Sequence, residues 1–299
     1  KKQNQKHPYL AVFDNQKWVP ICYGTQKGKV CYFNEIGKDI AYLPLYYDNQ
    51  GIHPITDPFI LDSRGRIKYL HADTSKRKKV ILSRKYYLAK HIFDYAKTLT
   101  GGHFEASNNP DFSDPDTIHT ISHWLLSADS FEIKPQKTYR DWRYVSAKNK
   151  GCNLAELAFY SDKEEKELTG TIIGTNASVR YDTMPMDKSK VFDKDILTYY
   201  EAPSTVDYPW VGLDFNKPVS INKIIYTPRN DDNNIHAGDL YELFYWEYNH
   251  WMSLGQQRAI ESKLTYTNVP DNALLLLKDL TKGEEERIFT YENDKQVWW

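Results

Sequence analysis

Hydrophobic and polar residues alternate along most of this chain, in short runs separated by Gly, Pro, Asn or Asp. Runs with a period of two predict β-strands. The clearest examples lie within residues 210–246, where WVGLDF, VSINKIIYT and YELFYW predict three strands. The segment PRNDDNNIHAGD precedes the third strand and contains no apolar run, so it predicts a polar loop. A loop of this length exceeds what a hairpin needs, which is typical of functional segments.

One segment departs from the alternation. Between Leu88 and Leu99 the apolar residues recur at helical spacing, and Gly101 stands where a C-terminal cap is expected. These features predict a helix near residues 85–99. Because the remaining runs are short and closely spaced, the sequence predicts an all-β protein. We expect two tandem β-sandwiches, with the short helix inserted in the first.

A charged segment without core residues, SDKEEKEL at 161–168, suggests a boundary. Residues 141–162 and 273–294 also share one pattern, in which a strand, a Lys-Gly turn and a second strand precede an aromatic residue and an acid. Each copy is interpreted as the closing hairpin of one sandwich. The predicted domains are therefore 1–162 and 163–299.

Composition narrows the range of partners. The chain of 299 residues has 39 Lys and Arg and 40 Asp and Glu, for a net charge of -1. This balance argues against nucleic acid as a partner. No apolar run is long enough to predict a membrane span. Three cysteines leave at least one unpaired within the chain, and the sequence does not decide whether Cys22 and Cys31 pair.

The stretch 191–246 contains VFDKDILTYY, WVGLDF, INKII, PRNDDNN and YELFYW in that order. This series resembles the discoidin family, also called the coagulation factor five/eight type C domain. The resemblance implies a galactose-binding-like, jelly-roll sandwich, a fold common among carbohydrate-binding modules. The closing segment, EERIFTYEN followed by QVWW, is similar to the C-terminal region of secreted Bacteroidetes proteins, some with transglutaminase-like domains. An exported location (periplasmic, outer-surface or secreted) follows from these resemblances alone.

The polar loop after the PR pair is the predicted ligand site. Arginine offers a fixed fork of donors, and asparagine both donates and accepts, so both residue types suit vicinal sugar hydroxyls. A tyrosine ring can stack on the C–H face of a sugar. The alternative is that Arg229 pairs with Asp231 or Asp239 and only holds the loop in place. The candidate ligand-binding residues are Arg229, Asn230, Asp231, Asn233, Asn234, His236, Tyr199 and Tyr200.

A turn rich in aspartate precedes the Tyr pair. Asp193, Asp195 and Thr198 are the candidate ligands for a structural calcium ion, since calcium is bound by oxygen atoms. The resemblance implies that a glutamate on the last strand closes such a site, a position matched by Glu156 in the first domain and by Glu286 or Arg287 in the second. Lys194 stands where the family usually has glycine. An aspartate-capped turn without metal is the alternative, and no other cofactor is predicted.

The sequence contains no HExxH, CxxC, GxSxG or Walker motif, so no enzyme is predicted. The favoured function is non-catalytic binding of a glycan or cell-surface polysaccharide, through the loop at one end of the C-terminal sandwich. The first alternative is a structural or protein-interaction module that positions a separate catalytic domain. The second is a hydrolase with its site between the domains.

Overall fold

A computed structural model describes residues 7–34, 36–85, 90–134, 137–161, 166–177, 186–203, 205–283 and 286–299. The strands are β1 Tyr9–Asp14, β2 Lys17–Tyr23, β3 Thr25–Lys27, β4 Val30–Tyr32, β5 Ile40–Asp48, β6 Gly51–Pro54, β7 Phe59–Leu61, β8 Ile67–Tyr69, β9 Asp73–Leu82, β10 His103–Ser107, β11 Asp116–Thr120, β12 Asp129–Glu132, β13 Tyr139–Val145, β14 Leu154–Tyr160, β15 Thr171–Gly174, β16 Trp210–Val219, β17 Lys223–Pro228, β18 Leu240–Glu247, β19 His250–Arg258, β20 Leu264–Asp271, β21 Leu275–Asp279, β22 Ile288–Glu292 and β23 Lys295–Trp298. The helices are α1 Lys90–Lys97 and a 3₁₀-helix at Lys188–Phe192. The all-β prediction is confirmed.

The predicted short helix is also present, as α1. Ile92 and Leu99 on its predicted apolar face are buried, and Gly101 has a φ of +87° as expected after a helix C-terminus. The start of the prediction, residues 86–89, lies outside the described residues. Among the residues that the structure describes, no helix has the length and apolar character that a bilayer crossing requires.

The chain forms two compact units that differ from the predicted domains. One unit contains residues 1–87 and 233–299, and the other contains residues 88–232. The predicted division at 162 fails because strands from both sides of it pair, as β13 does with β16 and β14 with β17. Helix α1 therefore belongs to the second unit. The segment 162–165, within the suggested linker, lies outside the described residues.

The unit of residues 88–232 is an eight-stranded sandwich. A five-stranded sheet has the order β11-β10-β13-β16-β15, and a three-stranded sheet has the order β12-β17-β14. One core, which includes Phe104, Trp142 and Phe159, fills the space between them. β13 and β14 lie in different sheets, so this copy of the predicted repeat is not a hairpin.

The other unit packs three β-layers. The N-terminal sheet β2-β1-β5-β7-β8, with β6 beside β5, and the ribbon β20-β9 cover opposite faces of the sheet β19-β18-β21-β22-β23. The run of leucines before and in β21 reflects this arrangement, since Leu274 and Leu276 join one core while Leu275 and Leu277 join the other. β21 and β22 pair directly, as predicted for the second repeat. Cys22 and Cys31 do not form a disulfide.

Candidate functional site

Arg229 follows the end of β17 and is held on both faces by aromatic rings. Its guanidinium carbon lies 3.8 Å from the centroid of the Tyr95 ring and 3.6 Å from that of Tyr199. Its Nη1 donates to Asn153 Oδ1 and to Glu201 Oε2, each at 3.4 Å. The backbone N–H of Arg229 donates to the carbonyl of Asn153 at 2.9 Å. The side chain is 16% exposed, so Arg229 is oriented before any ligand arrives.

In two other arginines of the same unit, the Nε and Nη2 nitrogens both donate hydrogen bonds to a carboxylate. Arg143 stacks on Phe112 and Trp210, and its Nε and Nη2 both donate to Glu105, at 2.8 and 2.6 Å. Arg140 uses the same two nitrogens to bind Asp214, at 2.8 and 2.6 Å. A carboxylate thus fills the Nε/Nη2 fork in both cases, the geometry that arginine favours.

The Nε/Nη2 fork of Arg229 differs from these. Both of its side-chain hydrogen bonds come from Nη1, and the fork donates to none of the described residues. The pairing with Asp231 or Asp239 that was considered as an alternative is replaced by the contact with Glu201. Arg229 therefore presents two rigid, adjacent donors that the described part of the protein does not use.

The loop after Arg229 is bonded largely within itself. Asn230 is buried, and its side chain donates to the carbonyl of Pro228 at 2.8 Å and accepts from the N–H of Asp232 at 2.8 Å. Asp231 is half-buried beside it. The amide group of Asn230 holds the turn, which leaves it little capacity for a ligand.

The remaining loop residues belong to the other unit. Asn233, Asn234 and His236 follow the division at position 232, and both asparagines are buried. Asn234 Oδ1 accepts from Arg84 Nη1 at 2.7 Å, and the N–H of His236 donates to the hydroxyl of Tyr241 at 2.9 Å. These contacts stabilise their own unit.

The two predicted tyrosines face opposite ways, as neighbours on an extended chain do. Tyr199 stacks on Arg229, whereas Tyr200 is fully buried and donates to the carbonyl of Thr175 at 2.7 Å. Burial raises the pKa of the Tyr200 hydroxyl above its usual value. Tyr200 is thus a core residue rather than a platform for a sugar. The second ring beside Arg229 is that of Tyr95 on α1. The sequence analysis did not identify Tyr95, because it lies more than a hundred residues before Arg229.

The predicted calcium turn forms a compact polar loop. Thr198 Oγ1 lies 3.0 Å from both carboxylate oxygens of Asp193, and Lys190 Nζ lies 3.1 Å from Asp193 Oδ2. Partial burial acts to raise the pKa of Asp193, but the N–H of Asp195, Lys190 and Thr198 together lower it. Asp195 accepts from the N–H of Leu197 at 3.0 Å.

Glu156 on β14 lies close to this turn, whereas Glu286 and Arg287, which were expected to close it, belong to the other unit. Burial, followed by the charges of Asp193, Glu167 and Asp195, raises the pKa of Glu156 from 4.5 to about 7, although the N–H of Lys194 opposes the shift. Its Oε1 is buried and bonds to none of the described residues.

The oxygen donors and the negative charge at this turn suit calcium. However, among the described residues no three His, Cys, Asp or Glu side chains converge as a metal site. Thr198 and backbone carbonyls would have to complete the ligand set. Calcium binding therefore stays a prediction.

The cysteine of this unit is not an accessible nucleophile. Cys152 is fully buried, and its Sγ donates to the carbonyl of Pro209 at 3.4 Å. Burial raises the pKa of its thiol well above the usual value, which keeps it protonated.

Comparison with family models, with characterised proteins and with solved structures finds no match to this chain.

Proposed function

We propose that this chain is a non-catalytic carbohydrate-binding module, with Arg229 as the anchor of its ligand site. The ligand is a glycan or cell-surface polysaccharide, and the setting is an exported bacterial surface protein, as the resemblances to discoidin domains and to secreted Bacteroidetes proteins suggest. Tyr199 and Tyr95 hold the guanidinium plane, and Asn153 and Glu201 contribute neighbouring polar groups.

The unused Nε/Nη2 fork of Arg229 is the observation that carries the proposal. Arg140 and Arg143 use the same nitrogens to bind carboxylates, whereas Arg229 leaves them available among the described residues. Two parallel N–H donors at fixed separation match two adjacent hydroxyl oxygens of a sugar ring. Because the Tyr rings fix the guanidinium, binding costs little side-chain entropy.

Affinity at this site is expected to be weak. A single fork with few neighbouring polar groups buries little ligand surface, so a dissociation constant in the millimolar range, or roughly 4 kcal/mol of binding free energy, is reasonable. Useful attachment to a polysaccharide would then depend on several sites acting together.

A conservative substitution tests the role of the fork. Arg229→Lys keeps the positive charge near Glu201 but removes the two parallel donors. Arg143→Lys is the matched control, since it also removes a guanidinium stacked between two rings in the same unit. On a glycan array, wild type and Arg143→Lys should retain binding that Arg229→Lys loses. Absence of any glycan signal from wild type, or equal binding by both variants, would contradict the proposal.

A second candidate is a structural or protein-interaction module. It is favoured by the loop after Arg229, in which Asn230 is buried and bonds to its own backbone. In that case Arg229→Lys would lower the stability of the unit while the wild-type array stayed blank.

A further inference from the structure

A cleft in the unit of residues 1–87 and 233–299 has the features of a separate ligand site. Its volume is about 770 Å³, and the residues that line it include His71, Asp73, Trp246 and Tyr248. None of these belongs to the Arg229 site. Pockets of this size, with mixed polar and apolar walls, accommodate small organic ligands. We call it the His71 cleft.

Tyr248 is the most exposed aromatic residue on the cleft. It lies with Asn249 in the two-residue turn between β18 and β19, where φ is +49° for Tyr248 and +65° for Asn249. Such turns favour Asn, Asp or Gly at both central positions, because other side chains are strained there. The Tyr248 side chain is 76% exposed, so packing does not compensate for the strain. A bulky ring held at strained backbone beside a cleft points to a binding role.

His71 supplies a fixed polar group. Its Nδ1 lies 2.8 Å from Asp57 Oδ2, and the side chain is 74% exposed. An ionised carboxylate can only accept, so Nδ1–H donates to Asp57 and Nε2 is the ring nitrogen left for a ligand. Nε2 bonds to none of the described residues and is available to a ligand hydroxyl.

Trp246 forms part of the wall of the cleft, and its indole ring packs in the core against Trp18 and Trp251. This packing fixes the strand end that carries Tyr248.

The charge of the cleft limits the class of ligand. Its lining includes the carboxylates of Asp57, Asp73, Glu247 and Asp271 but only one lysine, Lys76. Asp73 pairs with Lys76 at 3.4 Å and Asp271 with Lys78 at 2.8 Å, but the lining keeps an excess of carboxylates. An anionic ligand is therefore disfavoured, whereas a hydroxyl group can donate to a carboxylate or bond with His71 Nε2. An exposed tyrosine ring suits the C–H face of a sugar.

We propose that the His71 cleft binds a neutral, polyhydroxylated ring such as an uncharged sugar residue, with Tyr248 stacking on the ring and His71 and Asp57 fixing its hydroxyls. The site rests on its own residues and does not require that Arg229 bind a glycan.

The test is saturation-transfer NMR of the full chain with methyl β-D-glucopyranoside, methyl β-D-galactopyranoside and methyl β-D-glucuronide. At least one neutral glycoside should receive saturation, and the glucuronide should bind about fivefold or more weakly because of its charge. Tyr248→Asn removes the ring while placing a favoured residue in the turn. This variant should bind the neutral glycoside at least about tenfold more weakly and keep or raise its melting temperature. Tyr23→Asn, at a tyrosine 74% exposed outside the cleft, is the matched control and should bind normally.

Each result has a defined meaning. Failure of both neutral glycosides to bind, equal binding of the glucuronide, or full binding by Tyr248→Asn would overturn the His71 cleft proposal. Loss of binding in Arg229→Lys with retention in Tyr248→Asn would place the sugar at Arg229 instead. Retention in Arg229→Lys with loss in Tyr248→Asn would support the cleft and leave the Arg229 site without this ligand.

Discussion

Glu286 is expected to make its unit less stable as the pH rises from about 4.5 to about 7. It is 3% exposed just before β22, and its Oε2 bonds to none of the described residues. Burial, as the largest effect, raises the pKa of Glu286 from 4.5 to about 7. Asp279 adds to the rise, while Lys278 and Lys85 oppose it. The carboxyl is therefore protonated more readily in the folded state than in the unfolded chain.

The sign of the effect follows from proton binding. Between pH 4.5 and pH 7 the folded state binds more protons at Glu286 than the unfolded state does, so stability falls as pH rises. Each pKa unit corresponds to about 1.36 kcal/mol, so a rise from 4.5 to about 7 costs about 3 kcal/mol once the carboxyl is ionised. The cost is absent below pH 4.5 and complete above the folded-state pKa.

Glu286→Gln removes this titration and keeps the side-chain shape. The unfolding free energy of the variant minus that of wild type should increase by about 3 kcal/mol from about pH 4.5 to about pH 8. Urea titrations at each pH, read by pulsed hydrogen exchange of the β21 and β22 amides, measure this difference within the unit. Glu261→Gln is the control, since the Glu261 side chain is 56% exposed and its pair with Lys263 is expected to contribute under about 1 kcal/mol. Parallel pH profiles for wild type and Glu286→Gln would refute the reasoning.

Three further predictions concern the other sites. Arg229→Ala should lower the unfolding free energy by about 3 kcal/mol, because it removes two ring contacts and the ion pair with Glu201. Calorimetry showing a change under about 1 kcal/mol would contradict this. If calcium binds the Asp193 turn, calcium at a hundred times its dissociation constant should raise the unfolding free energy of wild type by about 2.7 kcal/mol. Glu156→Gln should not be stabilised, whereas the control Glu132→Gln, at an exposed residue, should respond as wild type does. If calcium does not stabilise wild type, the turn is not a calcium site. Tyr248→Asn should raise the unfolding free energy of its unit by about 1 kcal/mol in urea titrations, because it relieves the backbone strain in the turn. A loss of stability would mean that the Tyr248 ring makes stabilising contacts with the protein.

Part of the candidate site could be predicted from the sequence. Arg229 and Tyr199 were recognisable because each stands in a motif of the resemblance, and the structure places them in contact. Tyr95 and Glu201 were not recognisable as their partners, since nothing in a local pattern shows which distant side chains meet. The His71 cleft was missed for the same reason, because its walls come from four separated segments.

The sequence by itself determined that the chain is all-β with one short helix, since alternation and helical spacing are local properties of neighbouring residues. Only the tertiary structure decided how those strands group. Strand pairing depends on which distant edges meet, so β14 joined β17 across the predicted boundary, and the ribbon of β9 and β20 buried a second face of the central sheet. The buried state of Asn230 and Tyr200 followed from that packing, because a strand pattern predicts which residues share a face but not what will cover it.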